Sequence, residues 1–95
     1  MARREGDRLL LEGEVTVDTV ARILAETGRE DRDAAAVVDF GGVTEVDSAG
    51  VALALAWLRE ADAAGRTLRF ENFPPAMAKL LRLYALADLI PGASA

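Results

Sequence analysis

Thr44 to Leu58 reads TEVDSAGVALALAWL. A polar, extended approach meets an Asp-Ser pair, a glycine follows one alanine later, and apolar and small residues then recur at helical spacing. A helix start leaves backbone N–H groups without partners, and the side-chain oxygen of Asp47 or Ser48 can accept from them. Gly65 supplies a stop. The spacing therefore predicts a helix over residues 48–64. At roughly 100° per residue, Val51, Ala54, Leu55, Trp57, Leu58 and Ala61 gather on one side as a core face. Ser48, Ala49, Ala52, Ala56, Arg59, Glu60 and Ala63 gather on the other, with Leu53 at its margin. The first two turns of this outer side lack the charge that a solvated helix normally carries. Two explanations are open: alanine is simply the best helix former, or small side chains admit another backbone closely, with Ser48 hydrogen-bonding in the middle of the contact. Gly50 bears on the choice. Glycine in a helix costs roughly 0.5–1 kcal/mol relative to alanine, and close approach by another chain would explain it.

On the upstream side, AAAVVDF, Ala34 to Phe40, is a short apolar run with β-branched residues, bounded by charge before it and by Gly41-Gly42 after it. It suits a central strand buried on both faces. On the downstream side, Thr67 to Glu71 turns Leu68 and Phe70 inward as a further strand. Strand, helix and strand at this spacing imply a parallel crossover. At the start of the chain, Arg8–Leu11 and Val15–Val17 read as two strands joined by a tight turn at Gly13, an opening hairpin. Asp18 or Thr19 then caps a helix running to about Thr27, with Gly28 as its stop and the polar run Arg29–Asp33 leading to the central strand. Pro74-Pro75 opens a last helix, whose Met77, Leu80, Leu81 and Tyr84 fall at i, i+3, i+4 and i+7. Leu86, Leu89 and Ile90 are placed over one edge before Pro91 ends the order. The expected architecture is an α/β fold: one domain over residues 1–95, its core from about 8 to 91, with a mixed sheet, an opening hairpin and helices packed mainly on one face.

Composition narrows the chemistry. The 95 residues contain neither cysteine nor histidine, which removes thiolate nucleophiles, imidazole bases and Cys/His zinc sites. Asp39 and Asp47 could flank a magnesium ion, but no phosphate-cradling lysine and hydroxyl accompany them. No cofactor and no metal is expected. A formal net charge of −5 disfavours nucleic acid, because phosphate neutralisation needs a basic face; a basic or apolar protein surface suits the chain better. Arg59, Glu60 and Asp62 interrupt its richest apolar stretch well short of the roughly 20 residues that span a bilayer, and MARREGDR has no apolar segment behind it. No direct membrane insertion is expected, and a cytoplasmic location is.

Residues 37–90, from VVDFGGVTEVDSAG to LLRLYALADLI, resemble the STAS domain family, and LLLEGEVTVDTVARIL resembles its opening strand-turn-strand-helix. The D-[ST]-x-G signature falls on Asp47, Ser48 and Gly50, directly after the VVDF strand. Anti-sigma factor antagonists of this family read D-S-S-G and are phosphorylated on the second serine, where this chain has Ala49. The small STAS subunits of the Mla (maintenance of lipid asymmetry) phospholipid transporters, the MlaB-like group, resemble D-T-[AG]-G, which Ser48-Ala49-Gly50 matches, and they share the Leu-x-x-Leu-Tyr-x-Leu ending. The resemblance implies a non-enzymatic cytoplasmic subunit that binds and regulates or stabilises the ATPase of an Mla-type ABC transporter, held by that partner at the inner face of the inner membrane. The alternative is a partner-switching protein that binds a serine kinase or anti-sigma factor. The implied contact set is Asp47, Ser48, Ala49, Gly50, Ala52, Leu53 and Ala56; whether the chain pairs with itself is left open.

Overall fold

The computed structural model describes residues 1–90. Four strands, β1 (Ala2–Glu5), β2 (Arg8–Val15), β3 (Val37–Val46) and β4 (Arg69–Glu71), form one sheet in the order β1-β2-β3-β4. β1 and β2 are antiparallel, and the other two pairings are parallel. The helices are α1 (Val20–Glu26), α2 (Arg29–Ala34), α3 (Ser48–Ala63) and α4 (Pro75–Leu83). Parallel neighbours need long connections, and these run through α1 and α2 between β2 and β3, and through α3 between β3 and β4.

Alternation along the strands decides which face is buried. Leu9 and Leu11 of β2, Val38 and Phe40 of β3 and Phe70 of β4 are each at most 1% exposed. They share one core with Ile23 of α1, Val51, Leu53, Ala54 and Trp57 of α3, and Met77 and Leu81 of α4. Phe40, Phe70 and Phe73 pack as an aromatic trio with ring centroids 5.1–6.2 Å apart. The opposite face of the sheet carries charge. Arg8 on β2 donates to Asp39 on β3 (2.9 Å) and to Glu71 on β4 (2.6 Å), and Asn72 donates to Asp39 (3.0 Å). The helices thus lie on one face, as expected, and β3 is a central strand. Its second face, however, holds a half-buried Asp39 in an ion-pair network rather than continuous apolar burial.

The hairpin differs from the expected one. Its turn lies at Gly6-Asp7 and its first strand is β1, upstream of the residue-8 start expected for the core. Gly13 lies inside β2 with φ +79°, beside a register shift against β3. A glycine at positive φ serves a β-bulge as readily as a turn, and the strand continues through it. Val15 ends β2, so Thr16 and Val17 are not strand residues. β3 likewise runs through Gly41-Gly42 to Val46, with a second register shift opposite them.

α1 is shorter than expected, and Thr19 occupies its N-cap position without capping it. The Thr19 hydroxyl instead accepts from Thr16 N–H (3.0 Å) and donates to Glu14 C=O (2.8 Å), which closes the β2–α1 loop. Gly28 stops nothing: it begins α2, a helix formed by the run Arg29–Ala34 without one buried side chain. At the other end, Tyr84 is the C-cap of α4 rather than part of its apolar stripe and is 46% exposed. Ile90 is buried and Leu86 half-buried, whereas Leu89 is 64% exposed and covers no edge. Pro91 lies outside the described residues.

The Arg8 network gives the fold an acid-side sensitivity. Burial pushes the Asp39 carboxyl up, but hydrogen bonds from Asn72, Arg8 and Gly41 outweigh it and hold the group below its ordinary value. Arg8 and then Arg69 hold Glu71 low in the same way. Carboxylates depressed in the folded state contribute stability above their unfolded pKa and lose it as pH falls through the folded one. Urea titrations across the acid range should show stability falling below about pH 4, and Arg8→Met should be less stable near neutrality with a shallower acid-side fall. A variant curve parallel to that of the parent would remove the network from the account.

Candidate functional site

The end of β3, the start of α3 and the β2–α1 loop meet at Asp47. Its backbone is extended (φ −126°, ψ −167°), as an N-cap requires, and its carboxylate is used twice. Oδ1 accepts from Ala49 N–H (2.8 Å), a donor at the helix start, and Oδ2 accepts from Val17 N–H (3.0 Å) in the β2–α1 loop. One side chain therefore caps α3 and ties it to the neighbouring loop. Of the two capping candidates, Asp47 does the work. Ser48 is exposed, and its hydroxyl has no hydrogen-bond partner among the described residues.

Gly50 is explained within the chain. A Cβ built there would lie 2.4 Å from Val46 Cγ2 and 2.9 Å from the Val15 carbonyl oxygen. The first turn of α3 presses against the ends of β2 and β3, and only a residue without a side chain fits. The close approach inferred from this glycine is real, but the approaching backbone is the protein's own. Gly50 is buried, and Ala49 half-buried.

The outer face of α3 is narrower than the wheel suggested. Ser48, Ala52, Ala56, Arg59, Glu60 and Ala63 are exposed, so the small-residue stripe from Ser48 through Ala52 to Ala56 stands free along two turns. Leu53 leaves the set. It is 3% exposed and belongs to the core, because it stands roughly 40° from Trp57 on the helix and the buried arc widens to meet both α1 and α4. Leu55 and Leu58, placed on the core face, are half-buried at its other margin. Of the seven residues in the predicted contact set, Ser48, Ala52 and Ala56 present an exposed surface. Asp47 and Ala49 are partly accessible, while Gly50 and Leu53 act from inside.

Two features beside this stripe escaped the sequence reading. Val17 is 74% exposed in the loop that Asp47 anchors; the signal was the pair Thr16 and Thr19, hydroxyl residues suited to a turn rather than a strand. Glu14 and Glu45 face each other across β2 and β3. Hydrogen bonding with Glu14 and the charge of Glu14 raise the Glu45 carboxyl above its ordinary value, with smaller contributions from burial, Asp47 and Asp18. The rim of the α3 N-terminus is therefore acidic. Asp39 and Asp47, the pair weighed for magnesium, serve separate structures, one in the Arg8 network and one at the helix cap. No group of three or more metal-ligating side chains assembles among the described residues.

A family model described as Mlab, STAS domain, matches residues 2–91. Among solved structures, the fold is similar to that of the anti-sigma factor antagonist SpoIIAA in its unphosphorylated form. The TM-score is 0.62, with 24% identity, over 87% of this chain and 81% of that one. It is also similar to the Bacillus cell fate determinant SpoIIAA in the phosphorylated form, with TM-score 0.65 and 22% identity, over 97% and 88% of the two chains. At such identities the likeness is one of fold. No curated protein matches the chain.

The contrast between Gly50 and Ser48 is measurable by urea or thermal melting. Gly50→Ala forces a methyl group against Val46 and the Val15 carbonyl and should cost about 1–3 kcal/mol, whereas Ser48→Ala, which breaks no side-chain hydrogen bond among the described residues, should stay within about 0.5 kcal/mol. Equal effects would contradict the packing described for this turn.

Glu45 gives a pH-dependent prediction of the opposite sign to the Arg8 network. A carboxyl raised in the folded state favours folding while protonated, and that advantage is lost as pH rises through its folded value. Glu45→Gln should therefore be more stable than the parent at about pH 7 and equal to it at about pH 4. A variant without advantage at the higher pH would show that Glu14 and Glu45 do not repel each other.

Proposed function

The chain belongs to the STAS domain family, and on that premise we propose that it is a non-enzymatic regulatory subunit that binds the ATPase of an Mla-type ABC phospholipid transporter and regulates or stabilises it. The observation that carries the proposal is the free outer stripe of α3, at whose head the Ser48 hydroxyl is exposed and uncommitted. Ala52 and Ala56 keep side-chain bulk out of the way, so a partner's helix or loop can come close enough to reach that hydroxyl. Val17 and the half-buried Leu55 supply apolar area around it. Asp47, Ala49 and Gly50 act by fixing the turn that presents Ser48, and Leu53 by seating the helix on the sheet. The acidic rim of Glu14, Glu45 and Asp18 suits a partner surface that is basic around an apolar centre, and such complementarity acts mainly on association rate and specificity.

The Mlab description of the matching family favours the transporter role, as does the order Ser48-Ala49-Gly50, with its single hydroxyl ahead of the glycine. A second reading, a partner-switching protein that binds a serine kinase or anti-sigma factor, draws on the similarity in fold to SpoIIAA in both its forms. Ala49 removes the hydroxyl on which a phosphorylation switch would act at that position, although it leaves binding itself possible. In either role the protein works through contact rather than catalysis. Among the described residues no helix is long and apolar enough to cross a membrane, and in the transporter role the ATPase brings the chain to the inner face of the inner membrane from the cytoplasm.

Purification of the tagged full chain from its native lysate, with identification of bound proteins, separates the two roles. An ABC-type ATPase is expected; a serine kinase without an ATPase would transfer the assignment to the second reading. In titration against the purified ATPase, Ala52→Arg and Ala56→Glu should each weaken binding tenfold or more, about 1.4 kcal/mol or above, with melting temperatures close to the parent. Full affinity in both variants would place the contact elsewhere on the molecule.

A further inference from the structure

Between α2, the C-terminal half of α3 and the start of β4, the core is not completely filled. A cavity of about 10 Å³ lies there, walled by Leu9, Val38 and Leu68 and lined on its polar side by Trp57, Glu60 and Arg66. That volume is at the lower limit for one water molecule and too small for a larger guest.

Two donors are stranded in this wall. Trp57 is 4% exposed, and its Nε1–H is buried without an acceptor among the described residues. The Nε–H of Arg66 is buried without one as well, although its Nη1 donates to Arg32 C=O at 2.9 Å and its Nη2 lies 3.6 Å from Asp33 Oδ1. A buried donor without a partner has given up water for nothing, so each such group calls for an explanation, and ordered water is one. An acceptor is available in the same wall: Glu60, partly exposed, takes a hydrogen bond from Arg32 Nε at 2.9 Å on Oε1, and among the described residues no hydrogen bond is made to its second oxygen.

We infer that this cavity is a hydration site in which one ordered water accepts from Trp57 Nε1 and Arg66 Nε and donates to the free carboxylate oxygen of Glu60. A water has two lone pairs and two protons, and buried waters typically make about three such bonds. A chloride ion would also accept from both donors, but it is larger than water and would face the Glu60 carboxylate. The site also accounts for α2. That helix buries no side chain; it is held through Arg32 to Glu60, through Arg66 to the Arg32 carbonyl and through Asp31 to Arg4 of β1, and the water completes the first two contacts as a polar joint between α2, α3 and the approach to β4.

The chain has a single tryptophan, so its indole N–H gives one assignable NMR signal. In water-selective NOE and ROE spectra of the ¹⁵N-labelled full chain, a direct cross-peak between this proton and water is expected, with the sign of a molecule resident longer than the protein's tumbling time. A missing cross-peak, or one with the sign of freely exchanging solvent, would overturn the proposal. So would a saturable shift of the indole signal on addition of chloride, which would assign the site to an anion. Trp57→Phe keeps an aromatic ring, though a smaller one, and removes the donor. Where it folds, the Arg66 Nε–H signal should shift, and an unmoved signal also counts against the water; where it does not fold, the spectra of the parent chain decide.

Discussion

The rest of the structure depends on how closely α3 approaches the ends of β2 and β3. A methyl group at position 50 would sit 2.4 Å from Val46 and 2.9 Å from the Val15 carbonyl, so the helix starts in direct backbone contact with the sheet. Asp47 locks that start by spending one carboxylate oxygen on the helix and the other on the β2–α1 loop. With its first turn fixed, α3 lies across the sheet so that Val51, Ala54, Trp57 and Ala61 are buried. The remaining helices pack beside it on the same face. The exposed Ser48 hydroxyl is a by-product of this arrangement: since Asp47 does the capping, the next residue is left free to face outward.

Much of this was legible because the signals were local. The Asp-Ser start, Gly65 and the apolar spacing placed α3 within a residue of its observed end, and the tandem prolines placed α4. What was missed was decided by contacts distant in sequence. Gly13 at positive φ fits a turn or a bulge equally well on sequence grounds, and its pairing with Val43 of β3 beside a register shift makes it a bulge. Arg29–Ala34 has no apolar stripe to announce a helix, and its anchors, Glu60 and Arg66, lie some thirty residues away in the chain. Leu53 was misplaced because a helical wheel gives directions around an axis but not the width of the buried arc, which depends on how many neighbours flank the helix. At the candidate site the exposure of Ser48, Ala52 and Ala56 could be read from helical spacing, whereas the packing of Gly50 and the exposure of Val17 required the fold.

Charge is distributed with the same logic. The open face of the sheet carries opposite charges in mutual contact, with Arg8 between Asp39 and Glu71, so that face is electrostatically satisfied. At the other end of β2 and β3, Glu14, Glu45, Asp18 and Asp47 come together, none of them in an ion pair among the described residues. Folding thus gathers like charge beside the small-residue stripe and pairs opposite charges on the open face of the sheet. An acidic cluster therefore lies at the end of the sheet where α3 begins, next to the exposed small residues of that helix.

The edges of the sheet carry a further consequence. Exposed strand edges are templates for intermolecular pairing, and short or charged edges discourage it. β4 offers only Arg69–Glu71, and β1 at the far edge consists of Ala2 followed by Arg3, Arg4 and Glu5. Neither edge gives a second strand a long apolar row to zip onto. The domain is thereby built to resist edge-to-edge aggregation and fibril growth: its sheet can be extended by a further strand only at edges that are short or charged.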